Sequence, residues 1–303
     1  MPDHLSSLGD FTGEEIASLI ARAIELKEER SRGIRHQQLA GKSVALIFEK
    51  PSTRTRVSFE SAMYGLGGQV LFLSGRDTQL SRSEPLKDMA RVMSRYVDGI
   101  VVRTFGQEVV NELAQYATVP VINALTDLHH PCQILSDIMT VIEKKGAIQD
   151  LKIVWVGDGN NMANSWIQAA AKLGFELILA CPEGYDPDAE ILAAAQAEGA
   201  KPITLLRDPQ TAVLGADVIN VDVFASMGQE SEQDERLKIF ASYQVNAEMM
   251  AKAADDAIVL HCLPAHRGEE ITEDVLEGPQ CVAFDEAENK MHMHKAILER
   301  FLG

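Results

Sequence analysis

At 303 residues the chain is longer than a typical single core, which argues for two domains. It carries 28 Lys and Arg against 45 Asp and Glu, a formal charge of −17, so phosphate backbones and anionic lipid surfaces are repelled at long range and nucleic acid and membrane are poor candidates as main partners. Its 4 cysteines (Cys132, Cys181, Cys262 and Cys281) form no CxxC pair, no secretory leader is visible and no window approaches the ~18 apolar residues of a membrane span, which fits a soluble protein of the reducing cytoplasm.

Near the start, Thr12 stands three residues before Glu15, a capping-box spacing, and Ile16, Leu19, Ile20 and Ala23 follow at helical intervals, predicting an amphipathic helix. Strand-like runs then alternate with helix-like ones: SVALIFEK, QVLFLS, GIVVRT and VPVINAL are separated by RVSFESAMYGLG, SEPLKDMARVMSRY and GQEVVNELAQYA. That alternation predicts an α/β domain on a largely parallel sheet. A longer helix, CQILSDIMTVIEKKG, runs into a polar close that reads as a domain junction. Beyond it LKIVWVGD, FELILAC, KPITLL, ADVINVDVF, AIVLHCLP and CVAFDE are expected as a second set of strands, so the second half repeats the architecture of the first without a sequence repeat. The last run, AENKMHMHKAILERFLG, is helix-like.

Between Ser52 and Ser58 the chain packs four hydroxyls and two arginines, with Lys50, Arg76, Arg82 and Arg103 as further cations on an acidic background. Phe59, Ala62, Met63 and Leu66 share one apolar helix face, so Ser52 to Thr55 fall at a helix N-terminus. Unpaired N–H groups, the positive dipole end, hydroxyls and the Arg54 fork there make a cradle for phosphate or carboxylate. An ordinary Ser/Thr cap with surface arginines is the plainer alternative. In TDLHHPCQILSD, Pro131 suits a first helical turn, which sets His130 and Gln133 at one helix end where they could polarise a bound carbonyl; a structural histidine is the alternative.

KIVWVGDGNNMANSW suggests a dinucleotide turn, but Met162 stands where the third glycine belongs and the next strand ends in Cys181 and Pro182 rather than an acid. The nicotinamide reading fails on both counts, leaving Asn160 and Asn161 as ligand contacts or turn formers. Asp222 closes a strand ahead of Ser226, Met227, Gly228 and a charge run, an acid at a loop base that could clamp an amine, or simply a solvated loop. His261 and Cys262 close another strand, stopped by Pro264; Cys262 reads as a nucleophile, a donor or a buried structural thiol. His292 and His294 are two apart, hence on different helix faces, and with no HExxH or Cys cluster no metal is assigned.

Together, Ser52-Thr53-Arg54-Thr55, Arg103, His130-Pro131-Cys132-Gln133, Asp222 with Ser226-Met227-Gly228, and His261-Cys262-Leu263-Pro264 resemble the ornithine carbamoyltransferases over essentially the whole chain. The resemblance implies two Rossmann-like α/β domains with parallel sheets and an active site in the interdomain cleft. Residues 1–133 would bind carbamoyl phosphate, 134–287 the amino acid, and a last helix, 288–303, would pack back on the first domain. It also implies carbamoyl transfer from carbamoyl phosphate to the δ-amine of L-ornithine, no cofactor, and a homotrimer or a multiple of trimers. By the same resemblance Ser52, Thr53, Arg54, Thr55, Gln79, Arg103, His130, Gln133, Cys262, Leu263 and Lys290 contact carbamoyl phosphate. Asn161 and Met227 would meet the α-carboxylate of ornithine, Asp222 and Ser226 its α-amine, and Cys262 its δ-amine, with Arg103, His130, Asp222 and Cys262 as the catalytic set. Where the family pattern has arginine after AEN this chain has Lys290, which keeps the charge but loses the planar fork.

The reaction asks for anion binding, carbonyl polarisation and an unprotonated amine. With an alkyl amine pKa of ~10.4, about one molecule in ~2500 is nucleophilic at neutral pH. Asp222, His261 and Cys262 are expected to ease that deprotonation. Acetylornithine or putrescine as acceptor, and a non-catalytic amino-acid sensor, are the other readings of the same fold.

Overall fold

The computed structural model describes residues 3–75, 84–225 and 232–303. The chain forms two units, Met1–Met139 with Glu288–Gly303, and Thr140–Ala287. The division falls inside the helix Pro131–Lys145, between the boundary at 133 that the resemblance implies and the polar close of the helix that reads as a junction.

In the first unit β1 (Ser43–Phe48), β2 (Gln69–Ser74), β3 (Gly99–Arg103) and β4 (Val121–Leu125) form a four-stranded sheet in the order β2-β1-β3-β4, every pair parallel. The helices are α1 (Gly13–Ser31), α2 (Thr53–Gly65), α3 (Leu86–Met93), α4 (Gln107–Tyr116) and α5 (Pro131–Lys145). All five residues of β3 are buried and only Ser43 of β1 is not, as continuous apolar runs in a sheet covered on both faces require. The capping box of α1 forms: Glu15 N–H donates to the Thr12 hydroxyl at 3.2 Å and the Glu15 carboxylate accepts from Thr12 N–H at 2.9 Å.

The second unit holds β5 (Lys152–Val156), β6 (Glu176–Ala180), β7 (Ile203–Leu206), β8 (Val218–Val221) and β9 (Ile258–His261) in the order β7-β6-β5-β8-β9, again all parallel, with α6 (Asn161–Leu173) and α7 (Ala189–Glu198) among its helices. The strand expected at CVAFDE does not form. Cys281 makes one isolated bridge to Val259, and the final helix, Ala283–Leu302, starts two residues later. A short apolar run carries no period long enough to separate strand from helix, and here Ala283 and Glu286 lie buried on one face while Phe284 is exposed.

Each strand order contains one place where the connections depart in opposite directions, between β1 and β3 in the first sheet and between β5 and β8 in the second. The carboxyl ends of strands at such a switch point are where open α/β sheets bind ligands. Ser52–Thr55 follow β1 and Arg103 ends β3; Asp158–Asn161 follow β5 and Asp222 follows β8. The register levels these ends: Phe48 pairs with Arg103, Val156 with Val221, and Val221 with His261.

Candidate active site

In the first unit Ser52 caps α2, its hydroxyl accepting from Thr55 N–H at 3.2 Å. The plainer reading of this serine is therefore met, without removing the anion site: Thr53 and Arg54 lie exposed on the same first turn, and Thr55 is buried. The neighbouring cations are engaged elsewhere. Arg56 pairs with Glu60 at 2.8 Å and stacks 3.6 Å above the Phe72 ring, and Lys50 pairs with Asp127 and sits 4.3 Å above Phe105. Arg54 is exposed and makes no ion pair with any described carboxylate. Arg103 is buried; its carbonyl accepts from Glu49 N–H at 2.8 Å, and the β3–β4 register shifts between Val102 and Arg103, a local irregularity of the kind that re-aims a side chain at a sheet end.

Pro131 opens α5, and both His130 and Gln133 are buried at that end. Gln133 is held on two sides: its Nε2 donates to Asp137 Oδ1 at 2.8 Å, and its Oε1 accepts from Lys290 Nζ at 2.6 Å. Burial drives the pKa of His130 well below the usual histidine value, with Lys290, Arg103 and His294 adding to the effect. His130 is thus neutral at pH 7, one ring nitrogen a donor and the other an acceptor. Cys132, beside it, donates to the Asn123 carbonyl at 3.3 Å, and burial pushes its thiol up to about 12, which makes it an inert packing group.

Two more histidines of this unit are also held neutral. His294 stacks on Phe59 with ring centroids 3.6 Å apart and meets Ser58 Oγ through Nδ1 at 2.9 Å, and burial drives its pKa well down. Burial, reinforced by Arg30, Lys27 and Lys295, lowers His292 to about 3. A base whose folded pKa is depressed lends stability above its unfolded value of 6.5 and loses it as pH falls, because the unfolded chain then binds protons that the folded unit does not. Stability should therefore fall between pH 7 and 5.5, all three histidines acting in the same direction. Urea unfolding at the two pH values, with hydrogen exchange localising the loss to the first unit, checks this; a flat profile would mean that these rings protonate in place.

In the second unit Asn160 caps α6, its Oδ1 accepting from Met162 N–H at 2.9 Å and Ala163 N–H at 3.4 Å, so it is a turn former, while Asn161 is the first helical residue. Gly159 has an ordinary cause: a Cβ there would lie 2.1 Å from Pro187 N and 2.2 Å from Asp186 C, so two backbone segments meet only because the side chain is missing. Asp222 Oδ1 accepts from the Cys262 thiol at 3.1 Å and from its neighbour Val223 N–H at 2.8 Å. Ligating atoms of Asp222, His261 and Cys262 all lie within 4.8 Å of one another.

The part expected of His261 changes. Its Nδ1 accepts from Leu263 N–H at 2.9 Å, so its Nε2 carries the proton and donates to the buried Glu270 carboxylate at 3.0 Å. Both ring nitrogens are taken, and His261 shapes the turn that carries Cys262 instead of accepting a substrate proton. Leu263, at φ 56°, is the one non-glycine among the described residues in the left-handed region, a strained position of the sort that clusters at ligand-binding turns.

Arg236, missed in the sequence because it lies in a run of charge, is buried and joins this region. It bonds the Asp158 carboxylate, donates from Nε to the Phe224 carbonyl at 2.5 Å, and lies 4.8 Å and 5.4 Å from the ring centres of Tyr185 and Phe240. Gln79, Ser226 and Met227 lie outside the described residues.

Comparison with known proteins also divides the chain into two segments. Residues 3–143 match the family described as aspartate/ornithine carbamoyltransferase, carbamoyl-P binding domain, and residues 149–301 match its Asp/Orn binding domain. A Pelobacter propionicus protein named ornithine carbamoyltransferase is 57% identical over 303 residues, covering 100% of this chain and 99% of that protein. One from Pseudomonas aeruginosa, named as the anabolic form, is 51% identical over 98% of this chain and 96% of its own. The solved structure of ornithine carbamoyltransferase from Pyrococcus furiosus superimposes with a TM-score of 0.95 at 51% identity, covering 97% of this chain and 95% of that one. With both halves matched and relatives more than half identical from end to end, the chain belongs to the aspartate/ornithine carbamoyltransferase family.

Proposed function

We propose that the chain transfers the carbamoyl group of carbamoyl phosphate to the δ-amine of L-ornithine, releasing L-citrulline and phosphate. The observation that carries this reading is the set of groups at the carboxyl end of the first sheet: Arg103, neutral His130, Gln133 and Lys290, in the same unit as the capped turn Ser52–Thr55. Ser52, Thr53, Arg54, Thr55 and Arg103 hold the phosphate with hydroxyls, helix N–H groups and guanidinium forks, and Gln79 and Leu263 complete its surroundings. Thr55, Arg103, His130 and Gln133 aim donors at the carbonyl oxygen, which gathers negative charge as the carbon becomes tetrahedral. His130 suits this because a neutral imidazole can donate without adding a buried charge.

Asn161 and Met227 bind the α-carboxylate of ornithine, Asp222 and Ser226 its α-amine, and Cys262 lies against the δ-amine. The amine nitrogen bonds to the carbonyl carbon, the C–O bond to phosphorus-bound oxygen breaks, phosphate leaves with the electron pair, and the amine proton passes toward the Asp222 carboxylate that already accepts from Cys262. Direct attack needs no covalent enzyme intermediate. Cys262→Ala should lower kcat about 10- to 100-fold and move the acid limb of its pH profile, as loss of a contact that eases amine deprotonation does. A drop of a few-fold with the profile unmoved would reduce Cys262 to a binding contact.

An end-point ureido assay with carbamoyl phosphate and, separately, L-ornithine, N-acetyl-L-ornithine, putrescine and L-aspartate tests the reading. Product mainly from ornithine is expected. Product from another acceptor would overturn the amino-acid half of the site and keep the carbamoyl phosphate half; no product with any of them would leave a ligand-binding sensor.

The homotrimer, or a multiple of it, belongs to the same proposal. Its support is a partly exposed edge strand, β2, with Leu71 43% exposed, alongside Val57 at 53% and Tyr64 at 84% on α2, apolar area that a second copy would cover. Four cysteines without a disulfide, and no described helix long and apolar enough to cross a membrane, support placement in the cytoplasm.

A further inference from the structure

Lys290 lies in the final helix, and its ammonium is bonded to a side chain of the same unit. Lys290 Nζ donates to Gln133 Oε1 at 2.6 Å, and Gln133 Nε2 donates to Asp137 Oδ1 at 2.8 Å, one helical turn along α5. All three side chains are buried, Lys290 at 5%, Gln133 at 1% and Asp137 at 0% exposed. A cation on the carbonyl end and a carboxylate on the amino end give the carboxamide only one tolerable orientation. Inverting it would set NH₂ against an ammonium and oxygen against a carboxylate, both unsatisfied in a low-dielectric site.

We propose that Lys290 is a positioning residue for carbamoyl transfer: it fixes the orientation of the Gln133 carboxamide, so that Gln133 presents an N–H and not its oxygen to the carbamoyl carbonyl. The inference rests on the carbamoyl-transfer reading above. Lysine suits this task better than it suits a bidentate grip on phosphate, because a compact ammonium serves one acceptor as a point charge and has no planar fork. The same charge, with Arg103 and His294, adds to the burial that keeps His130 neutral, so one cation supports both His130, just before α5, and Gln133 in its first turn.

A double-mutant cycle separates this from a direct phosphate contact. Lys290→Met should lower kcat about 10- to 100-fold while the KM for carbamoyl phosphate moves less than about threefold, and Lys290→Arg should recover activity to within about threefold, since a guanidinium also donates to Gln133 Oε1. In a Gln133→Leu background the further loss from Lys290→Met should vanish to within about twofold, because nothing remains for the lysine to orient. Multiplicative losses, or a rise in that KM of tenfold or more with kcat unchanged, would overturn the proposal in favour of direct phosphate binding. If Lys290→Met fails to fold, with Asp137 left buried beside a neutral side chain, Lys290→Gln replaces it in the same cycle with the same expected vanishing.

Wild-type protein that forms no citrulline would sink the carbamoyl-transfer reading by itself. The cycle is then read by calorimetric binding of carbamoyl phosphate, where vanishing of the Lys290 effect in the Gln133→Leu background supports the orienting role and multiplicative weakening overturns it.

Discussion

Arg103→Met is expected to lower kcat/KM for carbamoyl phosphate by about three orders of magnitude. Arg103 ends β3 at the switch point of the first sheet, with its backbone tied to Glu49 N–H at 2.8 Å and its side chain buried. In the role proposed for it the guanidinium faces charge that grows during the reaction, and removing one preorganised donor of this type costs about 10²–10³, to which loss of a phosphate contact adds. Methionine keeps the apolar stem, so packing should survive. Lys50 and Arg56 do not stand in for it, since they are bound to Asp127 and Glu60. The substitution has a second signature: Arg103 is one of the charges that hold His130 low, so removing it should let the His130 pKa rise and shift the acid limb of the kcat profile upward. Arg103→Lys should recover only part of the loss, because the fork is absent. A loss under tenfold, with the acid limb unmoved, would remove Arg103 from the site.

Arg236→Met should destabilise the second unit by about 3–5 kcal/mol, the cost of stranding one partner of a buried ion pair. Burial raises the Asp158 carboxyl above its ordinary value, Arg236 pulls it back down, and Asp222 pushes it up. Without the guanidinium the buried carboxylate keeps the Gly159 backbone hydrogen bond in its favour against burial and the like charge of Asp222. Its folded pKa would then climb further above the unfolded value, so the deficit should shrink as pH falls through the raised value and the group becomes neutral. Asp158→Asn in the same chain should restore most of the stability at pH 7. Urea unfolding followed by tryptophan fluorescence is well placed to read this, because both tryptophans lie in this unit and Trp155 Nε1 donates to the Asp158 carbonyl at 2.9 Å. A midpoint that does not move would show that Asp158 takes up water or a proton without the arginine. Arg236 also holds the Phe224 carbonyl two residues past Asp222, so a folded variant should bind ornithine more weakly while its KM for carbamoyl phosphate stays nearly unchanged.

Most of the architecture was legible in the sequence because it rests on local chemistry. Parallel strands buried on both faces must be unbroken apolar runs, and SVALIFEK, GIVVRT and KIVWV are such runs; caps act over three residues, so Ser52 with Thr55 and Thr12 with Glu15 could be read from spacing. Where the local signal was short it failed, as at CVAFDE, whose residues serve a helix start as well as a strand. The candidate site divides in the same way. Arg103, His130, Gln133, Asp222 and Cys262 stood out by type and place at strand and helix ends. What each can do was set by partners distant in the chain: Lys290 reaches Gln133 across 157 positions, Arg236 reaches Asp158 across 78, and Cys262 reaches Asp222 across 40. Glu270 occupies the ring nitrogen that would have made His261 a base, and Pro187 backbone fills the space that would have made Gly159 a dinucleotide contact. The sequence by itself determined the elements and the residue types at their ends, because those follow from periodicity and capping. Only the tertiary structure decided orientation and charge state, because both depend on burial and on neighbours that sequence spacing does not encode.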